Sequence, residues 1–389
     1  MHGTGPLPTC AAVLLGGCAS TIQVDADRIA FLEVSLAQAF SGTEAAPAPF
    51  STEAVHVEVR VQALDREARP LALDAVLSLD TRPGTLDSPT TVRLEEGAWQ
   101  GRVTLRHGFG PTRIWFRDDQ PQVGRDPTWV AAVSDALWFA LPTLAQVQAT
   151  GDHESNSLEG EFAELRTADR EVVVTALGAN GFWVTDLMDP PGDFNALFVY
   201  TFDRPEAVAA EEGEYAHAAG RDILLGERLS LLSGTDQEYL ATTQISHPFY
   251  TFTRDAPAAL PAALVLDSAT ACDDDAMERL ESSLVRAEDV VIPSSFSSDD
   301  PDFQDYGQWP IDLDGCRLYA ESSGTVPGWH PADHAGERLS YLQGLLQEVW
   351  GKWILLPRDP TDIAGASSAP GARTSPSGPP ARPVPRPRP

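Results

Sequence analysis

An internal repeat restricts the fold of this chain more than any other feature of its sequence. Residues 226–238 read GERLSLLSGTDQE and residues 336–348 read GERLSYLQGLLQE, with nine of thirteen positions identical at a constant offset of 110. Weaker matches precede each copy: SLEGEFAEL (157–165) against RLESSLVRA (279–287), and VVVTA (172–176) against VVIP (290–293). A segment repeated in this way is folded repeatedly, so residues 151–255 and 256–365 are expected to be two copies of one module. Each copy begins with an opening strand (162–165; 284–287) that leads into a β-branched strand. A hairpin follows, carrying GFWVTD (181–186) or YGQWPIDLDG (306–315), and then the strand LFVYTF (197–202) or CRLYAES (316–322). A Gly-led strand and a closing strand complete the copy. Gly234 and Gly344 fall where a strongly coiled strand needs a kink without a Cβ. The competing reading is a pair of amphipathic helices, because GERLSYLQGLLQEVW also has helical spacing.

That strand order is the order of a five-stranded OB barrel. GFWVTD, LFVYTF and LGERLSLLSGTDQEYLATTQI, with WILLPRDPTDI (353–363) closing the second copy, resemble the OB-like domains that accompany bacterial extracellular nucleases. The resemblance covers residues 155–363. It implies an accessory binding module. The metal-dependent phosphodiesterase domain of those nucleases has no counterpart in this sequence, so their fold is expected here and their activity is not.

Upstream, VHVEVRVQAL from Val55 alternates apolar and polar with period two. ALDAVLSLD, TVRLEEGAW, GRVTLRHGF and TRIWFRD follow, with turns at Pro83-Gly84 and Glu96-Gly97. Short strands at this spacing predict a β-sandwich over 53–118, with a barrel as the alternative. PGTL (83–86) and GFGPTRIWFRD (108–118) resemble the immunoglobulin-like domains of bacterial surface proteins. The expected fold class is thus mostly β: an N-terminal Ig-like β-sandwich followed by two tandem OB-like β-barrels. Residues 19–52 read as a flexible lead. Residues 119–150 read as a connector whose Trp129 and Trp138 pack between domains. The Pro/Arg-rich tail 366–389 reads as disordered or polyproline-like.

At the N-terminus, Ala11 to Gly17 read AAVLLGG and precede Cys18. A short apolar stretch ending in small residues is what an export signal looks like, so a signal is expected over 1–18, with an ordinary flexible N-terminus and a chance LxGC string as the alternative. Leu15-Gly16-Gly17-Cys18 resembles the lipobox of bacterial lipoproteins, which implies that Cys18 is lipidated after cleavage and anchors the chain in the cell envelope, at the outer membrane. The n-region departs from the pattern in having no Lys or Arg. Removal of Cys10 and lipidation of Cys18 leave Cys272 and Cys316. Two cysteines in an exported chain can pair, so a disulfide is expected, with two buried free thiols as the alternative.

No GxSxG, HExxH, Walker A or strand-linked GxGxxG string occurs, so no catalytic residues are assigned and no cofactor is expected. His330 and His334 in WHPADH lie four apart beside Asp333, but Pro331 argues against the regular helix that would align them. Asp273-Asp274-Asp275 and the set Asp299, Asp300, Asp302 and Asp305 could hold Ca²⁺, although neither has EF-hand spacing and a solvated acidic loop is the ordinary identity of such runs.

The net charge is −30, and each repeated module alone carries six basic residues against twenty acids. Single-strand-binding OB folds pair a basic groove with stacking aromatics. Aromatics are present, and Trp183, Tyr200, Tyr239, Trp309 and Tyr319 are candidates for a ligand face. The basic groove is not, which argues against nucleic acid. The expected function is a non-enzymatic, lipid-anchored surface or envelope protein whose modules bind an extracellular glycan or protein. The alternative is an accessory protein of an extracellular nuclease or phosphodiesterase that binds nucleic acid.

Overall fold

The structure, a computed structural model, describes residues 31–65, 67–72, 74–118, 131–149, 155–156, 158–207, 221–297, 299–322 and 326–365. The expected signal segment with Cys18, Trp129 and the tail after residue 365 lie outside the described residues.

The architecture is mostly β. Nine strands come first: β1 (Phe31–Leu36), β2 (Val55–Leu64), β3 (Ala75–Arg82), β4 (Thr85–Ser88), β5 (Thr91–Leu94), β6 (Ala98–Arg106), β7 (Gly110–Asp118), β8 (Ala132–Val133) and β9 (Leu137–Phe139). They form two sheets, β1-β2-β6-β4 and β5-β3-β7-β8, with β9 also paired to β7. Alternation along β2 sends Val57, Val59, Val61 and Ala63 inward, where they meet Leu77 and Leu79 of β3 and Ile114 and Phe116 of β7 in one core. Two sheets sharing a core in this way are a sandwich.

The sandwich is larger than the sequence pattern suggested. Residues 19–52 are not wholly a flexible lead: FLEVSL forms β1, which runs antiparallel to β2 with Val34 opposite Val61. The connector 119–150 is also structured in part. It contributes β8, β9 and a helix α1 (Leu144–Gln148), begun by a capping box in which Thr143 Oγ1 accepts from Gln146 N while Gln146 Oε1 accepts from Thr143 N.

The first repeated module holds β10 (Phe162–Leu165), β11 (Val172–Leu177), β12 (Gly181–Asp186), β13 (Ala196–Tyr200), β14 (Glu206–Ala207), β15 (Arg221–Asp222), β16 (Leu229–Glu238) and β17 (Thr243–Phe252). Its main sheet runs β10-β16-β17-β13-β12-β11, with β13 and β17 parallel. The second holds β18 (Leu264–Val265), α2 (Ser268–Ala271), α3 (Asp274–Glu278), β19 (Leu284–Glu288), α4 (Pro301–Tyr306), β20 (Gln308–Leu313), β21 (Cys316–Glu321), β22 (Tyr341–Glu348), β23 (Trp353–Leu356) and β24 (Ile363–Ala364). Its sheet runs β18-β19-β22-β23-β21-β20, with β21 and β23 parallel.

The two modules repeat individual hydrogen bonds as well as sequence. Gly160 N donates to Asp236 O, and Ser282 N to Leu346 O. Val174 N donates to Glu227 O, and Ile292 N to Glu337 O. The repeated segments are strands β16 and β22, so the helical alternative is excluded. A Cβ on Gly234 would stand 2.7 Å from Ser246 O, and one on Gly344 2.6 Å from Leu356 O. At both places neighbouring backbone approaches too closely for any side chain. Neither sheet closes into a barrel. In the first module its two ends, β10 and β11, are successive strands, and an isolated bridge from Val173 to Arg228 brings β11 towards the start of β16. Val291 bridges Arg338 in the same way in the second.

Cys272, which ends α2, is disulfide-bonded to Cys316 at the start of β21, with the Cα atoms 5.3 Å apart. The bodies are joined through apolar contacts. Phe50 and Phe109 of the sandwich and Leu144 and Val147 of α1 belong to the core of the first module. Ala176, Trp183 and Phe198 of the first module pack on Leu284 and Leu345 of the second.

Candidate functional site

The sandwich, the 140–146 segment and the first module enclose a groove of about 570 Å³. Three walls form it. The first is the stretch Pro47 to Phe50, held to the sandwich because Ala48 N donates to Trp138 O (2.9 Å) and Ala140 N to Ala48 O (2.7 Å). The second is Leu141, Thr143 and Gln146, fixed by the capping box of α1. The third comes from the first module: Glu164 and Leu165 of β10, the turn Arg166 to Asp169, and Ser230 and Leu231 of β16. The turn is tied to the second wall by Arg166 N donating to Pro142 O at 2.7 Å.

The chemistry of the groove is mixed. Prolines and leucines supply apolar surface, and Thr143, Gln146, Glu164, Arg166 and Asp169 supply polar groups. Arg166 Nε donates to Asp169 Oδ1 at 2.8 Å. The arginine hydrogen bond holds the Asp169 carboxyl below its usual range, and the carboxylate raises Arg166. Ser230 Oγ shares a hydrogen bond of 2.7 Å with Thr251 Oγ1. Phe50 is the lone aromatic among the lining residues and is buried, so the groove offers no ring face for stacking on a sugar. Its volume lies in the usual range for ligand sites.

The five aromatics expected at a ligand face sit in different surroundings, with only Trp183 and Tyr200 joined in one row of rings, through Phe198. Trp309 is fully buried in the core of the second module, because the inward parity of β20 carries it there beside Ile311. Trp183 is 8% exposed and packs in the contact between the two modules. Tyr200 is half-buried beside Phe202, ring centroids 4.5 Å apart. Tyr239 is exposed on the turn between β16 and β17. Tyr319 is half-buried under Lys352 Nζ, which lies 5.2 Å from its centroid.

The acidic runs are used locally. Asp273 caps α3 through Ala276 N, and Asp300 caps α4 through Asp302 N and Phe303 N. Asp302 binds Lys352 Nζ, and Asp299 N donates to Ser297 Oγ. Asp305 lies within α4. Pro331 to His334 form a 3₁₀ turn, not an α-helix. His330 Nδ1 accepts from Ala332 N, while His334 stacks on Trp329 and its Nδ1 lies 3.1 Å from Glu337 Oε2, so the two imidazoles do not converge. Among the described residues no group of three or more His, Cys, Asp or Glu side chains is placed to hold a metal ion, and no helix is long and apolar enough to cross a membrane. No family model, curated protein or solved structure matches this chain.

Proposed function

We propose that this is a non-enzymatic, exported envelope protein, held by a lipid on Cys18 at the outer membrane, that takes an extended segment of an extracellular protein into the groove between its sandwich and its first repeated module. The groove carries this reading. Its prolines and leucines offer apolar contact, the Glu164, Arg166 and Asp169 side chains offer polar contact, and no lining ring is presented to a sugar. The same reading takes the sandwich as Ig-like and the repeats as OB-like. In favour of the OB assignment is the order β11-β12-β13-β17-β16 with its parallel β13/β17 pair, repeated in the second module. The acidic excess of both repeats disfavours a nucleic-acid ligand. No cofactor enters this account.

Two experiments test it. Cys18→Ala in the full chain is expected to abolish lipid labelling and to move the protein from the membrane fraction to the soluble one. Membrane association that survives the substitution would remove the anchor from the proposal. For the groove, a photoreactive residue at exposed Gln146 is expected to cross-link a protein in cells exporting the chain, and the adduct should be lost on Leu231→Arg. Adducts with nucleic acid, or protein adducts indifferent to Leu231→Arg, would overturn the groove reading.

A further inference from the structure

Buried carboxyls gather where the connector helix and the two repeated modules meet. Glu281, between α3 and β19, has no solvent exposure. Its Oε2 accepts from Gln148 Nε2 of α1 and, at 3.1 Å, from the backbone N–H of Thr243 at the start of β17. Its Oε1 has no partner. One side chain in the second module thus ties the connector helix to the first module. Glu278 is buried beside it. Half-buried Glu238, at the end of β16, faces it from the first module and accepts from Thr243 Oγ1 at 2.8 Å.

Two residues before Glu238 stands Asp236, also without exposure, and neither of its carboxyl oxygens has a hydrogen-bond partner. The repeat shows how unusual this is. The offset of 110 places Asp236 opposite Leu346, a fully buried core leucine of the second module. The fold therefore accepts an apolar side chain at that position. In the first module it carries an acid that costs stability whenever it is ionised. Glu281 also has a counterpart: the earlier match of the repeat aligns it with Glu159, which is exposed and whose charge acts on Asp236.

We propose that this junction is a proton-operated latch closed by Glu281: with Glu281 protonated the second module stays docked on the first module and the connector helix, and loss of its proton sets buried negative charge against Glu278 and Glu238 and loosens the docking; Asp236, on the first module's side of Glu238, adds to that charge when it ionises. The shifts agree in direction. Burial first, then the charges of Glu238 and Glu159, push Asp236 up to about 8. Burial first, then Glu278 and Glu238, raise Glu281 well above the usual glutamate range, outweighing the hydrogen bonds from Gln148 and Thr243 that favour the carboxylate. Glu281 therefore holds its proton more tightly in the docked state, where Gln148 and Thr243 cover it from across the junction, than in the open one. The Glu281 contribution is therefore complete below the free glutamate value of 4.5 and is lost as pH rises through its raised value, and Asp236 adds its own loss as pH rises to about 8. Each of the two carboxyls feels the charge of Glu238, so neither titrates as an isolated group.

The test is hydrogen exchange in the full chain, corrected for intrinsic exchange chemistry and followed at the Thr243 amide and in peptides spanning Glu278 to Val285. From about pH 6 to about pH 9, protection in the native sequence should fall by about tenfold or more. Glu281→Gln, which keeps the shape and removes the titration, should hold its protection across that range. Asp236→Leu, which copies the second module, should move the loss upward by about one pH unit or more, and it decides the matter if Glu281→Gln fails to fold. Protection that is flat with pH in the native sequence, or that falls identically in the folded variants, overturns the latch.

Discussion

Replacing Asp362 with alanine should destabilise the second module by about 3–5 kcal/mol, the usual result of stranding one partner of a buried ion pair. Asp362 is fully buried. It takes Nε and a terminal nitrogen of Arg358 at 2.9 Å each, the Arg358 backbone N–H at 2.9 Å and Gln343 Nε2 at 2.7 Å. Its removal leaves a guanidinium with only 15% side-chain exposure to find other partners. Arg358 also donates to the carbonyl of Thr175 in the first module at 3.4 Å, so the contact between modules should weaken with it. Chemical denaturation of the full chain, followed by hydrogen exchange in peptides from each module, would show the loss. A cost under about 1 kcal/mol would mean that the pair contributes no more than a surface bridge. Substituting both residues with apolar side chains of matching volume should cost much less than the single change, because no charge is then left buried alone.

Trp309→Ala should cost about 3–5 kcal/mol, since it empties the largest fully buried side chain among the described residues. Trp309 packs among Ile311, Leu318 and Leu355, its Nε1 donates to Ser322 Oγ at 3.4 Å, and its ring lies 6.2 Å from that of Trp329. Thermal unfolding and the near-ultraviolet dichroism of the tryptophans measure the effect. A variant that melts with the parent and loses only binding would restore Trp309 to a ligand-facing role and contradict its burial.

Period-two patterns and the repeat made much of this fold readable. VHVEVRVQAL became β2 with the inward parity its valines require, and GERLS marked the entry to β16 and β22. FLEVSL was passed over because a six-residue alternation beside a Pro- and Ala-rich stretch is a faint signal, and its strand character depends on β2 lying alongside. Aromatic type proved a poor guide to the site. Trp183 is covered because the second module lies against its strand, which local sequence does not encode, whereas the parity of β20 carries Trp309 into its own module's core. The buried acids left one legible trace: aligning the repeat sets Asp236 against a leucine. Nothing local distinguishes Glu281 from the solvated acids around it, since its burial arises only when three distant segments meet.

The groove has a practical consequence for finding what it holds. Its walls come from residues 47–50, 140–146, 164–169 and 230–231, which belong to two bodies and the segment between them. Cutting the chain at that segment would give fragments that each display only part of the surface and divide the core to which Phe50, Phe109, Leu144 and Val147 belong. Under the proposed function, a bait for partner searches must run from the sandwich through the first repeat, because the groove spans both.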